Sequence, residues 1–264
     1  MGIKLIAIDL DDTLLNDECR ISPRNQQAVA EAVKRGVTVT VSTGRMYCSA
    51  LPFAKELKLD VPLIVYNGAM IKTSYSEELI FHQPVAEAAA EEIFALAQKN
   101  NWYIQTYIDD KLYVSELNGY AKRYSKIASV EAHLIDDLFN LPGASTKIMI
   151  QAEAAEIPAI SAGLQAKFSG KLSLTISKPT FLEITDLGVN KGTALAMLAE
   201  RLGIEREAIM AFGDSGNDVE MLKFAQHSFA MANGTDLAKR AARYQTATNN
   251  EDGVALAIEK YVLS

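Results

Sequence analysis

The sequence predicts an α/β protein: a Rossmann-like, doubly wound parallel sheet with an inserted α+β cap domain. Three observations carry this. Both outer thirds alternate short apolar strands with helices, the middle alternates apolar and polar residues in paired strands, and acids gather where the first and a late strand stop. A chain of 264 residues is long for one core and comfortable for two domains. The expected division is 1–82 with 185–264 for the core and 83–184 for the insert.

Lys4 to Ile8 reads as a buried strand, and in IAIDLDDTLL (6–15) its apolar run ends at Asp9, Asp11 and Asp12. Ser22-Pro23 opens a helix, with Ser as N-cap and Pro in the first turn. Ala28, Val29, Ala32 and Val33 follow at helical spacing, and Gly36 closes it. Val37 to Val41 is a β-branched strand ending at Ser42-Thr43-Gly44-Arg45. After another helix, Leu63 to Tyr66 is a strand that meets an Asn67-Gly68 turn suited to a hairpin. Such repetition of apolar strands implies a parallel sheet covered on both faces.

The insert opens with a helix around Val85 to Lys99. WYIQTYI and KLYVSE follow, split by Asp109-Asp110, then TKIMIQ (146–151), a helix over about 154–168, LSLTIS (172–177) and FLEIT (181–185). Strands joined by tight turns with helices between predict an antiparallel sheet covered on one face. The parallel rhythm then resumes. Asn190 caps a helix from Lys191 to Leu202 with Leu195, Leu198 and Leu202 on one face. Ile209 to Phe212 is a strand running into GDSGND (213–218), and a strand near 228–231 and a helix over 254–261 complete the chain.

Composition excludes several classes of partner. With 49% hydrophobic and 22% charged residues the chain is ordinary for a globular protein, and its net charge of -7 argues against nucleic acid or an anionic membrane as a partner. Two cysteines, Cys19 and Cys48, make no disulfide framework. No export signal and no window of about 18 apolar residues is legible, so a cytoplasmic location is expected. No obligate protein partner is evident.

Ligands of open parallel sheets bind at the carboxyl ends of the strands. Asp9 to Asp11, Thr43-Gly44 and Gly213 to Asp218 all fall at such ends, and Lys191 opens a helix just past the insert. Carboxylates brought together cannot all stay ionised without a cation, and oxygen-only donors point to a hard one, Mg²⁺ above all. A Lys, a hydroxyl and glycine-associated N–H groups suit an anionic phosphate. Together they suggest phosphoryl transfer.

DLDDT (9–13), STGR (42–45), NKG (190–192) and GDSGND (213–218) resemble, in order and spacing, the motifs of the haloacid dehalogenase (HAD) superfamily. The insert resembles the type IIB cap of its Cof-type sugar-phosphate phosphatases. The resemblance spans essentially the whole chain. It implies that Asp9 is a nucleophile forming an aspartyl-phosphate and that Asp11 is the general acid and then the base. It implies phosphate contacts from Leu10, Thr43, Gly44, Lys191 and Asn217, with Thr43 and Lys191 also in the catalytic set. Metal contacts would come from Asp9, the Asp11 carbonyl, Asp214 and Asp218. From its own position, Arg45 reads either as a substrate contact or as one half of a surface ion pair. The expected substrate is a small phosphorylated metabolite, a sugar phosphate or a phosphorylated cofactor.

Two positions depart from the family pattern. Asp12 replaces the usual Gly, which demands a backbone that Asp can adopt, and Ser215 stands where Asn or Gly is frequent. Two other functions share these residue types. A phosphomutase of the phosphomannomutase kind would retain its phosphorylated intermediate. A non-enzymatic phospho-aspartate switch would be about half this length, without an insert. Cys48 reads as a small helix residue, and His82, His133 and His227 are too dispersed to ligate a metal.

Overall fold

The structure, a computed structural model, describes residues 2–135, 137 and 139–264. Its first sheet has the strand order β14-β13-β12-β1-β2 and is parallel throughout. The strands are β1 (Leu5–Ile8), β2 (Thr38–Val41), β12 (Ile209–Gly213), β13 (His227–Ala230) and β14 (Tyr244–Gln245). Alternation along β1 sends side chains to two apolar layers. Leu5 and Ala7 pack with Leu195 and Leu198 of α6 (Lys191–Leu202), while Ile6 and Ile8 pack with Val29 of α1 (Pro23–Lys34) and Val254 of α9 (Gly253–Ile258). Both faces are therefore covered, as apolar parallel strands require.

The helix signals act as the sequence suggests. Ser22 accepts from the Asn25 N–H, Pro23 begins α1, and Asn190 accepts from the Thr193 N–H to begin α6. Two assignments to apolar faces are corrected. Val33 and Leu202 lie in the last turns of their helices and are 42% and 39% exposed.

Past α2 (Tyr47–Glu56), β3 (Pro62–Val65), β4 (Met70–Thr73) and β5 (Leu79–His82) form an antiparallel meander, continued from the first sheet by one parallel bridge between Ser42 and Ile64. The Asn67-Gly68 hairpin is present, and the left-handed angles fall on Tyr66 and Asn67 as well as on Gly68.

The cap is a six-stranded sheet of order β10-β11-β9-β6-β7-β8. Its strands are β6 (Tyr103–Ile108), β7 (Lys111–Val114), β8 (Ala132–Leu134), β9 (Lys147–Gln151), β10 (Leu172–Lys178) and β11 (Phe181–Asp186). All pairs are antiparallel except β7 with β8. Asp109 and Asp110, both left-handed, make the two-residue turn between β6 and β7. One face, including Ile104, Ile148, Ile150, Leu182 and Ile184, packs on α3 (Glu87–Asn100) and α5 (Ile157–Lys167). The opposite face, including Tyr107, Met149 and Phe181, joins the apolar cluster of the parallel sheet and α4 (Gly119–Ala128). The sheet is thus covered on both faces. The expectation of one covered face fails because the second lies against the site. Two short helices, α7 (Val219–Phe224) and α8 (Asp236–Ala241), complete the α-helices among the described residues.

Candidate active site

The expected chemistry gathers at the carboxyl ends of β1, β2 and β12. Asp9 directly follows β1, and its N–H donates to the Phe212 carbonyl, extending the parallel ladder by one bond. The chain then turns sharply through 10–14. Asp12 takes φ 58°, the left-handed region where Asp replaces Gly at modest cost, and its carbonyl accepts from Asn233 Nδ2 at 2.8 Å. That accounts for the departure from the usual Gly. Leu10 is fully buried, so only its backbone can face a phosphate.

Lys191, with no exposed surface, donates to Asp9 Oδ1 at 2.6 Å and to Asp218 Oδ1 at 2.7 Å. Burial pulls its pKa down, but Asp218 and Asp9 more than offset this and hold the ammonium charged. The other Asp218 oxygen accepts from the N–H groups of Asp214 and Ser215, at 2.9 and 3.0 Å. Gly213 is required here, because a Cβ would sit 2.5 Å from the Asp218 side chain.

One carboxylate oxygen from each of Asp9, Asp214 and Asp218 lies within 4.8 Å of the others. Burial, with Asp218 and Asp11 nearby and only partly opposed by Lys191, pushes Asp9 up to about 7. Burial and the charges of Asp218 and Asp9 push Asp214 up to about 9. Three crowded oxygen donors that resist ionisation suit a hard divalent cation, which would let all of them ionise. The fit is chemical: there is no nitrogen or sulfur donor in the cluster.

The Asp11 carboxylate turns away from this cluster to Arg45. Burial works against its ionisation, but the two Arg45 hydrogen bonds and the guanidinium charge carry its pKa below the usual value. Thr43, also buried, accepts from the Arg45 N–H on Oγ1 at 3.2 Å, which leaves its own proton free to donate. Asn217 is committed at both ends of its amide. Oδ1 accepts from Ser215 Oγ at 2.6 Å, and Nδ2 donates to Asn67 Oδ1 at 3.1 Å. Ser215 therefore orients an amide.

Sequence reasoning missed three contributors. Thr13, the last residue of DLDDT, is fully buried and donates to Asp214 Oδ1 at 3.1 Å. Its place in the motif was the available signal. Lys147 and Glu183 come from the cap strands, and no local signal marks them. Tyr124, Met149, Phe181 and Lys178 line the cavity from the cap. Cys48 sits in α2, as expected, and the three histidines lie apart from the cavity.

The chain matches the family of haloacid dehalogenase-like hydrolases over residues 6–258. It is 36% identical to a 5-amino-6-(5-phospho-D-ribitylamino)uracil phosphatase of Bacillus subtilis, covering 100% of this chain and 97% of that one. A haloacid dehalogenase-like hydrolase from Bacteroides thetaiotaomicron superimposes with a TM-score of 0.88 at 30% identity, covering 98% and 99% of the two chains. A solved subclass IIB sugar phosphatase of the superfamily shares the fold, with a TM-score of 0.86 at 22% identity and coverage of 99% and 100%. Among the described residues no helix is long and apolar enough to cross a membrane. The ordered motifs, the buried carboxylate cluster with its lysine and the match over nearly the whole length agree: the chain belongs to the haloacid dehalogenase-like hydrolases.

Proposed function

We propose that this phosphatase hydrolyses small phosphate monoesters in a Mg²⁺-dependent reaction through an aspartyl-phosphate on Asp9. The observation that carries the proposal is the buried Lys191 held between Asp9 and Asp218. It fixes one Asp9 oxygen and leaves the other for attack. Asp9 attacks phosphorus, forming an oxygen–phosphorus bond, while the ester oxygen departs and takes a proton from Asp11. Asp11 then removes a proton from water, which attacks phosphorus and releases Asp9 and inorganic phosphate. Thr43, the Gly44 N–H and Lys191 offset the charge on the transferring group. Asp9, the Asp11 carbonyl and Asp214 would hold the cation, with Asp218 orienting Lys191 and the turn that carries Asp214. When bound, the cation supplies charge neutralisation at the phosphoryl oxygens.

Asp11 pairs with Arg45 here, the arrangement of its base form. A bound substrate would compete for the guanidinium, which also lies 5.1 Å from the centre of the Phe53 ring. The leaving group faces Tyr124 and Phe181, whose rings are 6.1 Å apart, with Lys178 at the rim. An aromatic wall and a cation favour a polyol or sugar phosphate carrying a planar ring. Phosphorylated ribitylaminouracil, named for a relative of 36% identity, is the first candidate. The test is phosphate release across a panel of phosphorylated metabolites, with Mg²⁺ and with chelator. No release from any ester in the presence of Mg²⁺ would reject the proposal.

A further inference from the structure

The backbone of the loop at Thr43-Gly44-Arg45 is held in place by four hydrogen bonds. Three come from β3 and the turn after it. The Thr43 N–H donates to the Ile64 carbonyl at 2.9 Å, the Thr43 carbonyl accepts from Asn67 at 3.0 Å, and the Arg45 carbonyl accepts from Tyr66 at 2.9 Å. The fourth comes from the cap: Lys147 Nζ donates to the Gly44 carbonyl at 2.7 Å. Lys147 has no exposed surface, lies 4.9 Å from the centre of the Tyr107 ring, and pairs with Glu183 at 3.3 Å.

We infer that Lys147 and Glu183 are positioning residues that let the cap set the geometry of the phosphate-binding loop and of the Asn217 turn. The inference rests on the phosphatase proposal above. The first arm of the device runs through one peptide plane. In a trans peptide the Gly44 carbonyl and the Arg45 N–H point in opposite directions. By drawing the carbonyl toward the cap, Lys147 directs the Arg45 N–H to Thr43 Oγ1, and the Thr43 proton is left for the phosphate.

The second arm starts at Glu183. Its Oε1 accepts from Ser177 Oγ at 3.1 Å, and its Oε2 accepts from Asn67 Nδ2. A carboxylate only accepts, so the Asn67 amide must present its NH₂ to Glu183 and its oxygen to Asn217. Asn217 donates to that oxygen and accepts from Ser215. The direction of each bond along this chain, from Glu183 through Asn67 and Asn217 to Ser215, thus follows from one charge. Gly44 is required by the same packing, since a Cβ would lie 2.7 Å from Asn67 Oδ1. A buried ion pair is weak support for stability compared with apolar residues of similar volume. Its place here is better explained by geometry than by folding.

The experiment measures inorganic phosphate binding by calorimetry in the full-length protein with Mg²⁺, beside kcat and KM for an aryl phosphate. Lys147→Met should weaken phosphate binding about tenfold or more and lower kcat, since charge-assisted bonds of this kind carry effects of that order. Glu183→Gln keeps the volume but can donate, so it should weaken phosphate binding although Lys147 remains. The double variant should be little worse than the worse single one, because both act through one network. Asp110→Asn is the docking control. Asp110 ties the cap to Cys48 N–H at 2.8 Å and to the Tyr66 hydroxyl at 2.7 Å without touching the Gly44 carbonyl, so its phosphate binding should stay within about twofold of the wild type by the same reasoning.

The inference is overturned if Lys147→Met binds phosphate as the wild type does, or if Asp110→Asn loses as much. Where Lys147→Met fails to fold, unchanged phosphate binding by Glu183→Gln overturns it instead. A wild type that binds no phosphate also overturns it. A wild type that binds phosphate but hydrolyses no ester rejects the phosphatase proposal, while the variants still decide the positioning role.

Discussion

Arg45 grips Asp11 with two parallel donors, Nε at 2.8 Å and Nη2 at 2.7 Å from the two carboxylate oxygens. The side chains come from different strand ends and are 11% and 34% exposed, so the pair is only partly screened. It places a fixed charge beside the residue proposed to protonate the leaving oxygen.

Arg45→Ala should therefore change both binding and the pH profile. Loss of a bidentate donor from the cavity should raise KM for small phosphates about tenfold or more. Asp11, released from the guanidinium that lowers its pKa, titrates at higher pH, so the limb of the profile that reports the general acid moves up. The same pair contributes to folding above the unfolded Asp value of 3.8, and that contribution is lost as pH falls through the lower folded value. A pH–rate profile superimposable on the wild type would reject the coupling.

Asp9→Asn should abolish phosphate release, because the amide is a poor nucleophile. Asp11→Asn should lower kcat by about 10²–10⁴-fold, the usual worth of a general acid–base group. Both proteins should keep the far-ultraviolet circular dichroism of the wild type. Wild-type turnover by Asp9→Asn would exclude the covalent route.

Much of the core and its motifs was legible because a parallel sheet places the ends of distant strands side by side. Asp9, Thr43 and Gly213 could be assigned to one edge from the strands before them. Lys147 and Glu183 could not. A Lys second in TKIMIQ or a Glu inside FLEIT reads as a solvated strand residue. Its real face is fixed by the pairing of Lys147 with Tyr107 and of Glu183 with Met149 across antiparallel neighbours. The helix α4 was missed for a related reason. Its polar sequence, GYAKRYSKIA, buries only Ala121, Tyr124 and Ala128 against the cap sheet. Val33 and Leu202 mislead in the opposite sense, since their apolar periodicity continues into helix ends that are exposed.

Thr13→Val removes one hydroxyl and almost no volume. Asp214 loses the donor that orients it toward the other carboxylates, at a site where Thr13 is fully buried. Partners of this kind are worth about 10–100-fold in metal affinity. The Mg²⁺ concentration for half-maximal activity should rise by that order, while kcat at saturating Mg²⁺ falls much less. A Mg²⁺ titration that overlays the wild type would show the hydroxyl to be structural only.

The carboxylate cluster makes a final, signed prediction about pH. In the folded protein, burial and neighbouring acids push Asp9 up to about 7 and Asp214 up to about 9 from the ordinary value of 3.8, because they disfavour the charged forms. Between these values the folded state binds more protons than the unfolded one. Stability of the metal-free protein must then fall as pH rises, by about 1.4 kcal/mol per pH unit for each extra proton held. The window opens near pH 4, and Asp9 leaves it near 7 and Asp214 near 9. Asp11, shifted the other way, acts only below this window. A cation that binds the ionised cluster competes with those protons, so Mg²⁺ should stabilise more at pH 9 than at pH 6 and release protons on binding. Thermal denaturation in chelator and in Mg²⁺, at both pH values, measures the difference. In Asp214→Asn that difference should shrink to what Asp9 contributes, because the amide neither titrates nor carries the charge that draws the cation. An equal rise in Tm at pH 6 and pH 9 in the wild type would show that the cluster is not where Mg²⁺ binds.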